Sequence, residues 1–102
     1  MSEHNQRQYL RMLNQLTRFE EGQIRIDALV DGLEGLFNAL ENVPESWKSA
    51  FLQQWGELED ERAYALFKNL QVFDDETSRR LLLAAAELRR LVLENLEKSA
   101  GK

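Results

Sequence analysis

Residues 44–66 read PESWKSAFLQQWGELEDERAYAL, and the spacing of the large apolar side chains in this stretch decides the fold class. Apolar residues recur every three or four positions, which places them on one side of a helix that turns 100° per residue. The stripe comprises Trp47, Phe51, Trp55, Leu58, Ala65 and Leu66. Pro44 suits the first turn of such a helix, where its missing backbone N–H costs nothing. We therefore expect a core-facing helix from about Pro44 to about Asn69.

The same stretch concentrates four carboxylates within five positions, at Glu57, Glu59, Asp60 and Glu61. Carboxylates three or four residues apart repel by roughly 0.2–0.5 kcal/mol per pair. Arg62 falls within the apolar stripe, and Glu59, one turn earlier, is positioned to pair with it. The side chains predicted on the opposite side are Gln53, Glu57, Asp60, Glu61, Tyr64 and Lys68. This face is either a surface for a cationic protein or a solvated helix back, and both interpretations stay open.

Helical periodicity extends over the rest of the chain, which contains one proline and five glycines. The predicted helices cover about residues 5–21, 26–41, 44–69 and 75–98. Gly22 is a plausible left-handed stop for the first helix, and Asp74 or Asp75 can cap the fourth. The link between the second and third helices is then two or three residues long, although Gly56 could bend the third.

Short links favour antiparallel neighbours, so we expect an all-α fold, either a four-helix up-and-down bundle or a compact helical array. A chain of 102 residues is long enough to bury one core and too short for a second domain. The prediction is a single helical domain over residues 1–102, with frayed ends at about 1–5 and 98–102.

The second predicted helix repeats the acidic pattern, because Asp27, Asp31, Glu34, Asn38 and Glu41 share its outer face with no basic residue. Residues 23–43 hold one arginine and four acids, and residues 44–71 hold three bases and five acids, so these segments carry the whole net charge of −5. The central helical pair is therefore the predicted partner surface. Its candidate residues are Asp27, Asp31, Glu34, Gln53, Glu57, Asp60, Glu61 and Tyr64.

Two further rows of small or apolar residues lie on the second and the fourth predicted helix. On the second helix, Ala28, Gly32, Gly35 and Ala39 form one strip, and because each glycine costs roughly 1 kcal/mol inside a helix, we expect another backbone to approach closely there. On the fourth helix, Leu82, Ala86 and Leu93 flank the predicted core face. That strip is either covered within the monomer or supports a weak homodimer, with the monomer slightly favoured.

Several function classes are disfavoured by composition. The absence of cysteine removes disulfides and thiolate sites, and the one histidine, His4, lacks the spacing of a helical di-metal site. No hydroxyl has a histidine to activate it and no glycine-rich loop opens a helix, so we expect neither an enzyme nor a cofactor. The acidic balance and interleaved arginines disfavour nucleic-acid binding. The polar start MSEHNQRQ and the lack of a long apolar run indicate no membrane contact and a cytoplasmic location.

Residues 20–66, EEGQIRIDALVDGLEGLFNALENVPESWKSAFLQQWGELEDERAYAL, carry a resemblance. The EEGQI turn, the LVDGLEGL helix, Pro44 with Trp47, and WGELED resemble elements of small helical bacterial immunity proteins of contact-dependent growth-inhibition and other polymorphic toxin systems. Glu61 and Arg62 depart from that pattern, which has apolar or aromatic residues there. The resemblance implies that the chain binds and neutralises one cognate toxin, commonly a nuclease.

The leading functional hypothesis is thus an immunity protein whose acidic helical surface covers the active site of a basic nuclease toxin. The alternative is a non-catalytic helical interaction or regulatory module that self-associates through its fourth helix. An enzyme is a distant third.

Overall fold

The structure, a computed structural model, describes residues 3–69 and 72–100, without the side chains of residues 99 and 100. Four helices account for most of these residues: α1 (Glu3–Glu20), α2 (Ile26–Asn38), α3 (Glu45–Lys68) and α4 (Asp75–Ala100). Each helix packs against the next, and α4 packs back against α1. The predicted all-α bundle is confirmed, with α4 diagonally opposite α2 and α3 diagonally opposite α1.

Contacts between helix ends show that neighbouring helices are antiparallel. At the start of α1, His4 Nε2 lies 2.6 Å from the carbonyl oxygen of Ala39, just after α2. Near the start of α3, Trp47 donates to the Leu91 carbonyl late in α4. Late in α3, Glu61 meets Arg80 early in α4. The bundle therefore runs up and down, as short links require.

The core is built from apolar side chains of all four helices. On α1, Tyr9, Met12 and Leu16 are fully buried. The larger set of buried residues from the other three helices is Leu29, Val30, Leu33, Trp47, Phe51, Leu58, Leu81, Ala84, Ala85, Leu88, Leu91 and Val92.

Four aromatic rings meet where α1, α2 and α3 converge. The ring centroids of Phe37 and Phe51 are 4.9 Å apart, those of Trp47 and Phe51 5.3 Å, and those of Tyr9 and Trp47 5.9 Å. Such aromatic pairs add attraction beyond that of area burial alone. These rings fix the register of the first half of α3 against its neighbours.

The polar atoms of the core aromatics are all paired. Trp47 Nε1 donates to the Leu91 carbonyl at 2.8 Å, and Trp55 Nε1 donates to the Val30 carbonyl at 3.0 Å. The Tyr9 hydroxyl accepts from Asn95 Nδ2 at 3.2 Å, and burial raises the pKa of Tyr9. Because an unpaired buried donor costs about 1–3 kcal/mol, these bonds fix α2 and α4 at defined heights beside α3.

The α2–α3 link differs from the prediction. Helix α2 ends at Asn38 rather than near Glu41, so residues 39–44 form a link of six residues. Asn5 holds this link, because its Nδ2 donates to the Glu41 carbonyl at 2.7 Å and its Oδ1 accepts from the Glu41 amide at 3.0 Å. Asn42 then adopts a left-handed conformation with φ of 55°.

The described residues near both chain ends are helical, and the expected fraying of the ends stays a prediction. Helix α1 begins at Glu3, Asn5 and Gln8 are buried, and α4 continues to Ala100. Residues 1, 2, 101 and 102 lie outside the described residues. The Asn5 side chain attaches the first turn of α1 to the link after α2, whereas Gln8 Nε2 donates to the His4 carbonyl within α1.

The predicted helix stops and caps are confirmed. Gly22 has a φ of +76°, the left-handed conformation that ends α1. The Asp74 Oδ1 accepts from the Thr77 amide at 2.7 Å, which is an N-cap interaction at the start of α4.

The start of α3 differs from the prediction, because Pro44 directly precedes the helix instead of lying in its first turn. Helix α3 then continues unbroken past Gly56 to Lys68.

Two packing predictions were wrong. Leu66 was assigned to the core stripe, yet it is 70% exposed, because α2 begins level with it and no helix covers that side of α3 further along. At the two glycines of the α2 strip, the described residues do not provide the expected backbone contact: a Cβ at Gly32 would first meet the Gln15 side chain, with Oε1 at 3.1 Å, and a Cβ at Gly35 would meet nothing within 4 Å.

Candidate partner-binding surface

The outer side of α2 displays three carboxylates, Asp27, Asp31 and Glu34, each exposed. They lie at positions four and three residues apart, so one helix face carries all of them. The helical wheel predicted no basic residue on this face, but in the structure two arginines lie beside it. Arg25 Nε lies 3.9 Å from Asp27, and Arg62 Nη1 reaches from α3 to within 3.7 Å of Asp31.

Arg62 is the centre of a charge cluster at the α2–α3 junction. Its Nε and Nη2 donate to the two carboxylate oxygens of Glu59 at 2.8 and 2.7 Å, which confirms the predicted pair. This bidentate bond holds the pKa of Arg62 above its ordinary value, and the more distant Asp31 and Asp27 act in the same direction. Because Glu59 and Asp31 both face one guanidinium, the acidic sides of α2 and α3 form a continuous surface there.

The remaining acids of α3 belong to a second face. Glu61 is half-buried and lies 3.4 Å from Arg80 of α4, so it points to the opposite flank of α3 from Glu59. At 100° per residue, Gln53, Glu57, Asp60 and Tyr64 share the outward side next to Glu61, and all four are exposed. The back of α3 separates this row from the carboxylates of α2.

The eight candidate residues are thus divided into two groups. Asp27, Asp31 and Glu34 lie on α2 and are joined by Glu59, which the sequence had assigned only to a local pair. Gln53, Glu57, Asp60, Glu61 and Tyr64 form the α3 row. In the sequence, the position of Glu59 one turn before Arg62 indicated only a pair within α3. The contact between Arg62 and Asp31, which joins Glu59 to the α2 group, is visible only in the structure.

A shallow groove continues the α2 group toward the other end of the helix pair. It has a volume of about 160 Å³ and is lined by Glu34, Phe37, Asn38, Phe51, Leu52 and Trp55. Leu52 is 45% exposed at its edge. Aromatic and aliphatic side chains beside carboxylates are a typical composition for a protein-binding patch, because apolar contact supplies affinity and charge supplies orientation.

Helices α1 and α4 differ in that they carry at least as many basic as acidic residues, and several of these charges pair with one another. Arg89 of α4 binds Glu20 of α1, and Arg90 binds Glu87 and Glu94 along α4. The Arg90 guanidinium lowers the pKa of Glu87. These pairs leave little net field on that side of the bundle, so the negative potential is concentrated at α2 and α3.

Large hydrophobic side chains are exposed at the end of α3 and in the link that follows it. Phe67 is 82% exposed and Val72 81% exposed, beside the exposed Leu66. The sequence signal was the break in periodicity after Leu58, where only Ala65 and Leu66 continue the stripe.

Other kinds of site are absent from the described residues. Among residues 3–69 and 72–100, no group of three or more histidine, cysteine or acidic side chains is arranged to hold a metal ion. Within the same residues, no helix is both long enough and apolar enough to cross a bilayer.

Comparison with known proteins gives no relative. No protein-family model, curated protein or solved structure matches the chain.

Proposed function

We propose that the chain is an immunity protein that binds and neutralises a cognate bacterial toxin, through the acidic surfaces of α2 and α3. The toxin is a basic protein domain, in the first instance a nuclease whose active site carries positive charge for its nucleic-acid substrate. The inhibitor is non-catalytic, needs no cofactor and acts in the cytoplasm, where a bacterium that carries it must block the toxin.

The observation that carries this proposal is the exposure of carboxylates without nearby compensation. Glu34 on α2, and Glu57 and Asp60 on α3, are exposed and make no ion pair with any residue that the structure describes. Unpaired like charges on a stable domain repel one another and destabilise it slightly, so a cationic partner is a physical reason for their placement. The resemblance of residues 20–66 to immunity proteins points to the same class of partner.

The two acidic groups suit different parts of such an interaction. The α2 group is preorganised, because Arg62 holds Glu59 and lies beside Asp31. The α3 row contains Gln53 and Tyr64, whose polar atoms can bond to a protein surface beyond simple charge attraction. Charges around the patch accelerate association, and the groove at Leu52 and Glu34 supplies apolar contact that slows dissociation.

The proposal is tested by co-expression with the toxin candidate encoded next to this gene. Cells that express the toxin domain alone should stop growing, and cells that also express this chain should grow. The two purified proteins should elute together from a sizing column, and the complex should lack toxin activity. Absence of any toxin-like neighbour, or a neighbour that neither binds nor is inhibited, overturns the proposal.

A further inference from the structure

The outward face of α4 carries apolar side chains that the described residues leave partly exposed. Leu82 is 46% exposed, Leu83 65% and Leu93 37%, and the neighbouring Ala86 is also exposed. At 100° per residue these four positions lie on the side opposite the buried Leu88. The expectation that this strip is covered within the monomer is therefore wrong for the described residues.

Three pairs of positions on this face are complementary when the sequence is read in opposite directions from position 88. Arg79 lies nine residues before position 88 and Glu97 nine residues after it. Leu83 and Leu93 lie five residues before and after it, and Ala86 and Arg90 lie two residues before and after it. A two-fold axis at position 88 would set each residue against its counterpart on a second, antiparallel α4. Opposite charges would meet at both ends, leucine would meet leucine, and the small Ala86 would leave room for the stem of Arg90.

We propose that two copies of this chain pair through the outward faces of antiparallel α4 helices, with Arg79 of each copy opposite Glu97 of the other. Arg79 and Glu97 are both exposed, and neither forms an ion pair with any described residue, so both are free to bond across the interface. Arg90 is already held by Glu87 and Glu94 and needs no new partner. The symmetry makes each favourable contact occur twice.

The geometry also sets the strength and the consequence of this pairing. One helix face from residue 79 to residue 97 spans about 27 Å at 1.5 Å per residue, so the interface is smaller than that of a standard stable complex and the dimer should be weak. Helix α2 is diagonally opposite α4, so its acidic surface stays accessible in the dimer. Dimerisation through α4 is therefore compatible with toxin binding through α2 and does not depend on it.

Sedimentation velocity of the full chain across a wide concentration range tests the proposal. The wild type should show a reversible monomer–dimer equilibrium. Leu83→Glu combined with Leu93→Glu should be monomeric at every concentration tested, with an unchanged circular dichroism spectrum because both side chains are exposed. Leu52→Glu is the matched control: Leu52 is also exposed, but it lies in the α2–α3 groove, and its substitution should leave dimerisation unchanged.

A charge exchange tests the antiparallel register itself. Arg79→Glu and Glu97→Arg should each weaken dimerisation about three- to tenfold, because each places like charges together twice. Combining the two substitutions restores opposite charges and should return the dimer to within about twofold of wild type. A wild type that stays monomeric overturns the proposal, as does a dimer that survives the double leucine substitution. Failure of the combined variant to recover overturns the proposed register.

Discussion

Asn5 uses both polar atoms of its side chain on a single residue of the α2–α3 link. Its amide gives and receives a hydrogen bond with the Glu41 backbone, as a neighbouring strand would, while only 1% of Asn5 is exposed. Position 5 lies three and four residues before positions 8 and 9, on the core side of α1. One polar residue thereby joins the start of α1 to the link between α2 and α3.

Asn5→Ala should lower the free energy of unfolding by about 1–3 kcal/mol, because it leaves a donor and an acceptor of Glu41 without partners in a half-buried site. Urea unfolding followed by circular dichroism measures the change. Asn14→Ala provides the control, since Asn14 is exposed on the same helix and alanine favours helix. Equal stability of the two variants would show that Asn5 does not hold the link.

The glycines of α2 provide a second test at the scale of residues. Gly35→Ala should raise the free energy of unfolding by about 1 kcal/mol, because a Cβ there meets open space and alanine is the better helix former. Gly32→Ala should gain less, since Gln15 must move aside. Gly22→Ala should instead destabilise by about 1–2 kcal/mol, because its φ of +76° is unfavourable for alanine. Thermal or urea unfolding measures all three, and a loss of stability in Gly35→Ala would mean that the outer side of α2 is not open.

At the scale of elements, the start of α4 depends on an ionised cap. The Thr77 amide bonds to the Asp74 carboxylate and lowers the pKa of Asp74 below its ordinary value of 3.8. A carboxylate with a lowered folded-state pKa stabilises the fold above the unfolded-state pKa, and that contribution is lost as pH falls through the folded-state pKa.

Asp74→Ala should therefore lower the midpoint of thermal unfolding by about 2–8 °C at neutral pH. The difference from wild type should stay constant down to about pH 5 and shrink as the pH falls below about 4. Thermal unfolding followed by circular dichroism at several pH values measures it. Asp75→Asn removes the same charge from the first turn without removing the cap, and should have a smaller effect. A difference that grows at acidic pH would contradict this account of the cap.

The elements also show how far the sequence predicts the fold. Periodicity located all four helices, and specific residues located two of their ends, because Gly22 and Asp74 act through local backbone chemistry. The end of α2 was missed by three residues because it depends on Asn5, 36 residues away from Glu41 in the chain. Leu66 was misplaced because its exposure depends on where α2 begins beside it. Periodicity shows which side of a helix is apolar, but not whether another helix is long enough to cover it.

The helical wheel predicted only part of the candidate surface, because it does not show which residues of other helices lie nearby. The exposed positions of Asp27, Glu34, Glu57 and Asp60 follow from the helical wheel alone. The partners of Asp31 and Glu61 do not, because Arg62 and Arg80 approach them from other helices. The division of the acidic residues into an α2 group and an α3 row is a tertiary property, set by which flank of α3 faces α2 and which faces α4.

At the scale of the whole molecule, the bundle separates its charges by side. Helices α1 and α4 carry acidic and basic residues in balance, several of them in ion pairs, whereas α2 and α3 have an excess of carboxylates, some of them exposed and without a described partner. An opposed arrangement of this kind creates a long-range field that orients an approaching cation before contact. We propose that this field, at α2 and α3, recognises a basic toxin.

The most direct test is the association rate of the purified toxin domain with three variants that change net charge equally. Asp27→Lys with Glu34→Lys alters the α2 group, Glu57→Lys with Asp60→Lys alters the α3 row, and Glu3→Lys with Glu76→Lys alters exposed acids of α1 and α4 as the control. Stopped-flow kinetics at low and high salt give each rate, and circular dichroism verifies each fold. Both test variants should associate about tenfold or more slowly than the control at low salt, and the difference in rate should narrow as salt rises. Equal rates for all three variants would contradict the claim that the acidic surface of α2 and α3 recognises the partner.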